Sequence, residues 1–181
     1  MVTRDVPPNA IVAGNPARII GYVGSSAASV STPVEAALPR GEQVRATSVA
    51  GVTVHRLKVV GDMRGNLAAS EFPSDVPFTP KRYFLVFDVP SADVRGKHAH
   101  KNCEQFLVCV RGSCAVVVDD GVRREEIRLD NPGIGVFLPA MTWGTQYKYS
   151  SDAVLLVFAS DHYDPSDYIR DYDAFISAKA T

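Results

Sequence analysis

From residue 51 onward, apolar and polar positions alternate in short blocks cut by Gly, Pro and Asp, the period of two that marks β-strands. Val52-Thr53-Val54-His55-Arg56-Leu57 alternates, Asp62-Met63-Arg64-Gly65-Asn66 reads as a turn, and residues 67–71 resume in extended form. Residues 83–89 are dense in aromatic and β-branched side chains and stop at Pro90, as a buried strand does. Residues 106–110, an Arg111-Gly112-Ser113 turn and residues 114–118 predict a hairpin, with Asp119-Asp120-Gly121 as the next turn. Further strands are expected at 122–129, 135–138, 145–149 and 153–159. About nine or ten short strands with this punctuation predict an all-β architecture, an antiparallel barrel or double-sheet jelly roll. After Asp164-Pro165 the period changes: Ser166 is a candidate N-cap with Asp167 in the first turn of a helix running to about Ala178. Tyr168, Ile169, Tyr172, Phe175 and Ile176 recur at helical spacing along it, so it is expected to pack against the barrel.

Composition narrows the partners. The 181 residues are 46% hydrophobic and 22% charged, enough for one sizeable core. A net charge of −1 offers no basic footprint for nucleic acid or an anionic membrane, and no apolar run approaches a membrane span, so neither partner is expected. The three cysteines, Cys103, Cys109 and Cys114, lack CxxC spacing and read as small apolar residues, which favours a reducing, cytoplasmic setting. Residues 24–47 are rich in Ser, Ala, Pro and Thr without a sustained apolar period, as in a flexible linker. They divide a segment at 1–23 from a domain at 48–181.

The chemistry concentrates in Arg95-Gly96-Lys97-His98-Ala99-His100-Lys101, followed by Glu104. Residues i and i+2 of a strand share a face, so His98 and His100 are expected to project together. With Glu104 they could form a two-histidine, one-carboxylate metal site, but Pro139-Ala140-Met141-Thr142-Trp143-Gly144 carries Gly144 where metal-binding barrels of the cupin type place a further histidine. The alternative is proton transfer: Arg95, Lys97 and Lys101 should lower the imidazole pKa values and keep both rings neutral, able to accept a proton. Arg64, Arg82, Arg95 and Lys101 suit a phosphate-bearing substrate, and Trp143 and Tyr147 are candidates to wall a pocket and stack on a base.

Two resemblances extend this reading. Val6-Pro7-Pro8-Asn9-Ala10-Ile11-Val12-Ala13-Gly14-Asn15-Pro16-Ala17-Arg18 resembles the last coil of left-handed β-helix acyltransferases, without the hexapeptide repeats that would build the active site. This implies a remnant of an N-acetyltransferase domain and a parent polypeptide that is bifunctional. The run RGKHAHKNCEQFLVCVRGSCAVVVDDG, with DMRGNL upstream and LVFASDHYDPSDYIRDYDAF at the end, resembles the WxcM-like, FdtA-type cupins over about residues 50–176. The resemblance implies a cupin-type barrel and a 3,4-ketoisomerase of a dTDP-linked 4-keto-6-deoxyhexose, in the making of 3-amino-3,6-dideoxyhexoses for O-antigen or other polysaccharides. It also implies no cofactor, no metal ligand and a homodimer that exchanges strands. By the same resemblance His100 is the base at C3 and His98 returns a proton at C4. The family also uses a tyrosine on the strand before the HxH motif, for which Tyr83 stands at an uncertain register. A dTDP-sugar 3,5-epimerase, a metal-dependent cupin enzyme and a non-catalytic sugar-nucleotide-binding module remain open as alternatives.

Overall fold

In the computed structural model, which describes residues 2, 5–24, 38, 41–90 and 93–180, the alternating segments pair antiparallel throughout. One sheet has the order β3 (Val44–Ala46), β4 (Thr53–Arg56), β12 (Ile134–Leu138), β9 (Gln105–Arg111), β14 (Val154–Ala159), β7 (Arg82–Phe87). The facing sheet has the order β11 (Arg124–Leu129), β10 (Cys114–Asp119), β13 (Trp143–Tyr147), β8 (Arg95–His100), β15 (Tyr168–Ile169). Two hairpins stand apart, β1 (Ala10–Ala13) with β2 (Arg18–Tyr22) and β5 (Lys58–Asp62) with β6 (Gly65–Ala69).

The inward positions of both sheets meet in one apolar core: Val54, Leu107, Val136, Leu155 and Val157 from the first, Cys114, Val116, Val118, Ile127 and Leu129 from the second. Each of the larger side chains contributes about 1.5–3 kcal/mol by leaving water. This is the expected cupin-type barrel.

Two local expectations are corrected. Residues 106–118 do not form a hairpin, because β9 pairs with β12 and β14 whereas β10 pairs with β11 and β13. The chain crosses between the sheets at Gly112, whose φ of +64° and whose close neighbours, with Ser150 Oγ only 2.3 Å from where a Cβ would stand, leave room for no other residue. The C-terminal helix does not start at Ser166. Asp164 caps a 3-10 turn at Pro165–Asp167, Tyr168 and Ile169 continue as a strand on β8, and α1 (Tyr172–Lys179) begins only where the Asp171 carboxylate accepts from the Ala174 amide. The helix does pack on the barrel, with Phe175 fully buried beside Ala99, Trp143 and Ile169.

The stretch expected as a linker lies mostly outside the described residues, at 25–37 and 39–40. Its end is ordered into the barrel, since β3 pairs with β4 and Leu38 is buried. The N-terminal hairpin lies against the outer face of β10 and β13, where the Tyr22 ring meets Tyr147 edge-on at 5.4 Å.

Candidate active site

The inner face of the second sheet turns polar where β8 and β13 meet. Their register pairs Gly144 with His98 and Thr145 with Gly96, so Lys97 is an extra residue in a β-bulge. Gly96 has φ +75°, and a Cβ there would stand 2.6 Å from the Gly144 carbonyl oxygen, so this approach requires glycine. Beyond the bulge the two imidazoles converge as expected, with centroids 4.9 Å apart and planes at 84°. Tyr168, brought alongside by β15, places its ring 4.9 Å from His98 and 4.3 Å from His100.

His100 is held from both ends. Its Nδ1 lies 2.8 Å from Asp167 Oδ2, and its Nε2 lies 3.1 Å from the Gln105 side-chain nitrogen. A carboxylate only accepts, so Nδ1 carries the proton and Nε2 offers its lone pair. Asp167 is itself fixed by the backbone amides of Asn102 at 2.8 Å and Cys103 at 3.4 Å. The narrow cleft over the histidines, about 10 Å³ and room for little more than one water, is lined further by Leu138, Pro139, Thr142, Gly144 and Gln146.

Electrostatics make both rings neutral. Burial pushes His98 down to about 4; the Gly96 backbone opposes this, and His100 and Arg170 add to it. Burial also lowers His100, Asp167 pulls it back up, and Arg82 and Arg170 lower it further. Burial alone would raise the Asp167 carboxyl, but the hydrogen bonds from His100 and the two amides prevail and hold it below the usual carboxylate range. The neutral state expected from the sequence thus has a different cause: desolvation leads, and the cations that act are Arg82 and Arg170 rather than Arg95, Lys97 and Lys101.

The structure gathers some of the sequence candidates and disperses others. Arg82 stands beside the histidines, its guanidinium 5.5 Å over Phe84 and 5.4 Å over Tyr163, with a buried Nε that makes no hydrogen bond. Lys101 is near but engaged, donating to the Ser166 carbonyl at 2.8 Å. Tyr83 is corrected: β7 alternates with Phe84 and Val86 on the core, so Tyr83 faces outward and is 67% exposed. Trp143 and Tyr147 are corrected likewise. The cleft takes Gly144 and Gln146 from β13, so Trp143 packs under α1 on the opposite face and Tyr147 bonds Glu126 there. Arg95 lines a larger groove of about 430 Å³ between the N-terminal hairpin and the connection from β7 to β8, whose described lining holds no histidine. Arg64 sits at the tip of the β5–β6 hairpin, paired with Asp62 at 2.6 Å and 91% exposed. Glu104 is not grouped with the histidines as a possible ligand set.

Asp167, Tyr168, Gln105 and Arg170 are the site residues that pattern reading missed. Asp167 and Tyr168 looked like the first turn of a helix, and only the pairing of β15 with β8 turns them to His100. Their one sequence signal is the dense run of acids and aromatics in DPSDYIRDYD.

A two-sheet antiparallel barrel with a carboxylate-backed histidine pair at one end of its interior is a cupin-type barrel. The chain belongs to the family described as FdtA: WxcM-like, C-terminal, whose model matches residues 50–180. It is 46% identical over 122 residues to the TDP-4-oxo-6-deoxy-alpha-D-glucose-3,4-oxoisomerase of Aneurinibacillus thermoaerophilus, covering 67% of this chain and 88% of that protein. The crystal structure of a 3,4-ketoisomerase from Helicobacter canadensis matches with a TM-score of 0.70 and 37% identity, over 72% of this chain and 98% of that one. A histidine-to-asparagine mutant of the 3,4-ketoisomerase QdtA from Thermoanaerobacterium thermosaccharolyticum, in complex with TDP-4-keto-6-deoxyglucose, matches with a TM-score of 0.71 and 31% identity, over 72% and 95%.

Proposed function

We propose that this chain is a 3,4-ketoisomerase that converts dTDP-4-keto-6-deoxy-D-glucose to a dTDP-3-keto-6-deoxyhexose, on the way to 3-amino-3,6-dideoxyhexoses of O-antigen or other polysaccharides. The observation that carries the reading is the His100–Asp167 pair beside His98, lining one cleft at the end of the barrel. Moving a carbonyl from C4 to C3 shifts one carbon-bound proton from C3 to C4, and one hydroxyl proton from O3 to O4. His100 Nε2 takes the C3 proton, and the Asp167 carboxylate stabilises the imidazolium that results. His98, neutral at rest, receives that proton from the His100 imidazolium beside it and passes it to C4, which its low proton affinity favours over keeping it, so both rings end neutral again. Arg82 and Arg170, whose charges reach the histidines, stabilise the enediolate oxygen and hold the diphosphate. The reaction balances without an electron acceptor.

Two further assignments go with it. The exposed β5–β6 hairpin and the free edge of β7 support a strand-exchanged homodimer, in which Arg64 reaches the partner's cleft. Residues 6–20 derive from an N-acetyltransferase domain of a longer polypeptide; their sequence and their docking as a short hairpin support this.

The test is a proton NMR time course of chelator-treated protein with dTDP-4-keto-6-deoxyglucose in deuterated water, alongside His100→Asn. Conversion to a 3-keto sugar with deuterium at C4, lost in the variant, is expected. Exchange at C3 and C5 without carbonyl migration would instead identify an epimerase, and binding without exchange a non-catalytic module.

A further inference from the structure

Among the described residues, one group of side chains with metal-binding atoms lies close enough to share an ion: His100, Cys103 and Asp167, whose donor atoms all fall within 4.8 Å of one another. We propose that these three form a binding site for zinc or a similar borderline divalent metal, and that filling it switches the enzyme off. The binding claim stands on the geometry alone; the inhibition claim rests on the isomerase reading.

The donor set is suited to such a metal. A thiolate, an imidazole and a carboxylate together discriminate against magnesium and calcium, which prefer oxygen, and match zinc or cobalt with a fourth position left for water. A tetrahedral zinc holds its ligand atoms about 3.3–3.6 Å apart. His100 Nδ1 and Asp167 Oδ2, at 2.8 Å, need only separate slightly, and the Cys103 sulfur, already within 4.8 Å, has to close toward them. The polar contact this gives up is one long hydrogen bond, 3.4 Å from the thiol to the Glu104 carbonyl. Cys103 and His100 are buried, so the ion would sit in a low-dielectric setting that strengthens its bonds to them, with its fourth position turned to the cleft.

The consequence for catalysis follows from proton bookkeeping. The metal enters where the Nδ1 proton lies between His100 and Asp167. His100 loses that proton to solvent and, to stay a neutral imidazole, gains one from solvent at Nε2, while Cys103 releases its thiol proton. The net change is one proton released per metal bound. The ring survives as the other tautomer, with its only lone pair spent on the metal and N–H facing the cleft. It can then donate toward C3 but not accept from it, and the Asp167 carboxylate that stabilised the imidazolium is occupied. The metal and the catalytic base are therefore mutually exclusive states of one residue.

Cobalt is the probe. Adding Co²⁺ to the metal-free protein is expected to give a sulfur-to-cobalt charge-transfer band in the near ultraviolet, saturating at one ion per chain and displaced by Zn²⁺. The band should vanish in Cys103→Ser, with metal affinity reduced by more than about tenfold; Cys103→Ala is the second variant should serine disturb the fold, which near-ultraviolet circular dichroism reports. A band that persists in both would place the metal at Cys109 or Cys114 and overturn the proposal, as would no band in the wild type. In parallel, Zn²⁺ should abolish turnover of the wild type and EDTA restore it, with about tenfold or more Zn²⁺ needed to halve the rate of the Cys103 variants relative to their own metal-free rate. Zinc binding that leaves turnover intact would overturn the inhibition claim. An enzyme with no turnover in EDTA would refute the isomerase reading, and the cobalt spectrum would still decide, independently of turnover, whether the metal site exists.

Discussion

Asp167 gives His100 its direction. Without a carboxylate at Nδ1, the imidazole is free to carry its proton on either nitrogen, and Gln105 at Nε2 can accept through its own oxygen as readily as donate. Asp167→Asn therefore loses the tautomer bias and the stabilisation of the imidazolium, and kcat should fall by about 10²–10⁴-fold while substrate binding, read as KM, changes little. The pH profile separates this from a general loss of structure. The base works when neutral, and burial has already moved its pKa below the ordinary histidine value, so the acid limb of kcat/KM in the native enzyme should lie below pH 6.5. Asp167 is the group that raises the His100 pKa, so in Asp167→Asn the residual activity should keep its plateau to a still lower pH. A limb that moves upward would contradict the assignment.

At the scale of elements, the bulge on β8 decides whether two histidines in sequence become a pair in space. Gly96→Ala sets a Cβ against the Gly144 carbonyl and forces a left-handed φ on alanine, which should destabilise the fold by about 2–3 kcal/mol or more. Denaturant unfolding measures that loss. A rate deficit beyond the unfolded fraction would show that His98 has moved as well. Most strands were legible because alternation and turn residues are local signals, as at residues 53–56 and 82–87. The His98–His100 pair was legible for the same reason. What escaped depends on partners distant in sequence. Residues 106–118 contain a good hairpin pattern, yet Gly112 sends the chain to the other sheet, and no local rule distinguishes the two outcomes. Tyr168 and Ile169 fit helical spacing, but their backbone groups are taken by β8, a choice made some seventy residues away. Tyr83 fails by a single step of register, since one position along β7 separates the core face from solvent.

At the scale of the molecule, acid should unfold this protein through its active site. His98 titrates near 4 in the folded state against an ordinary 6.5, so the unfolded chain binds a proton that the folded chain refuses. Stability is then fully present above about pH 6.5 and falls as pH drops toward 4, by at most about 3 kcal/mol from this ring. His98→Asn should flatten the dependence of the unfolding midpoint over that window. If the variant's slope equals the wild type's, the ring is not buried neutral.

The surface carries a second whole-molecule consequence. Every residue of the β5–β6 hairpin is exposed, including Val59, Val60 and Leu67, and β7 ends its sheet with Leu85 and Phe87 facing solvent. A long unpaired edge and an apolar ribbon on one chain are complementary between two copies, because the ribbon can pair with the partner's edge and cover its apolar face. On the proposed strand exchange the protein should sediment as a dimer and Leu67→Asp with Leu85→Asp as a monomer; a wild type that already sediments as a monomer would refute the exchange. Arg64 rides at the exposed hairpin tip and does not line its own chain's cleft, so the proposed exchange would carry it to the neighbouring one. This yields a complementation test. Arg64→Ala and His100→Asn homodimers should each be nearly inactive. Unfolding and refolding them together in equal amounts makes about half of the dimers mixed, and each mixed dimer has one cleft with both groups intact, so about a quarter of wild-type activity should return. If Arg64 served its own chain's cleft, each cleft of the mixed dimer would keep one defect and no activity would return.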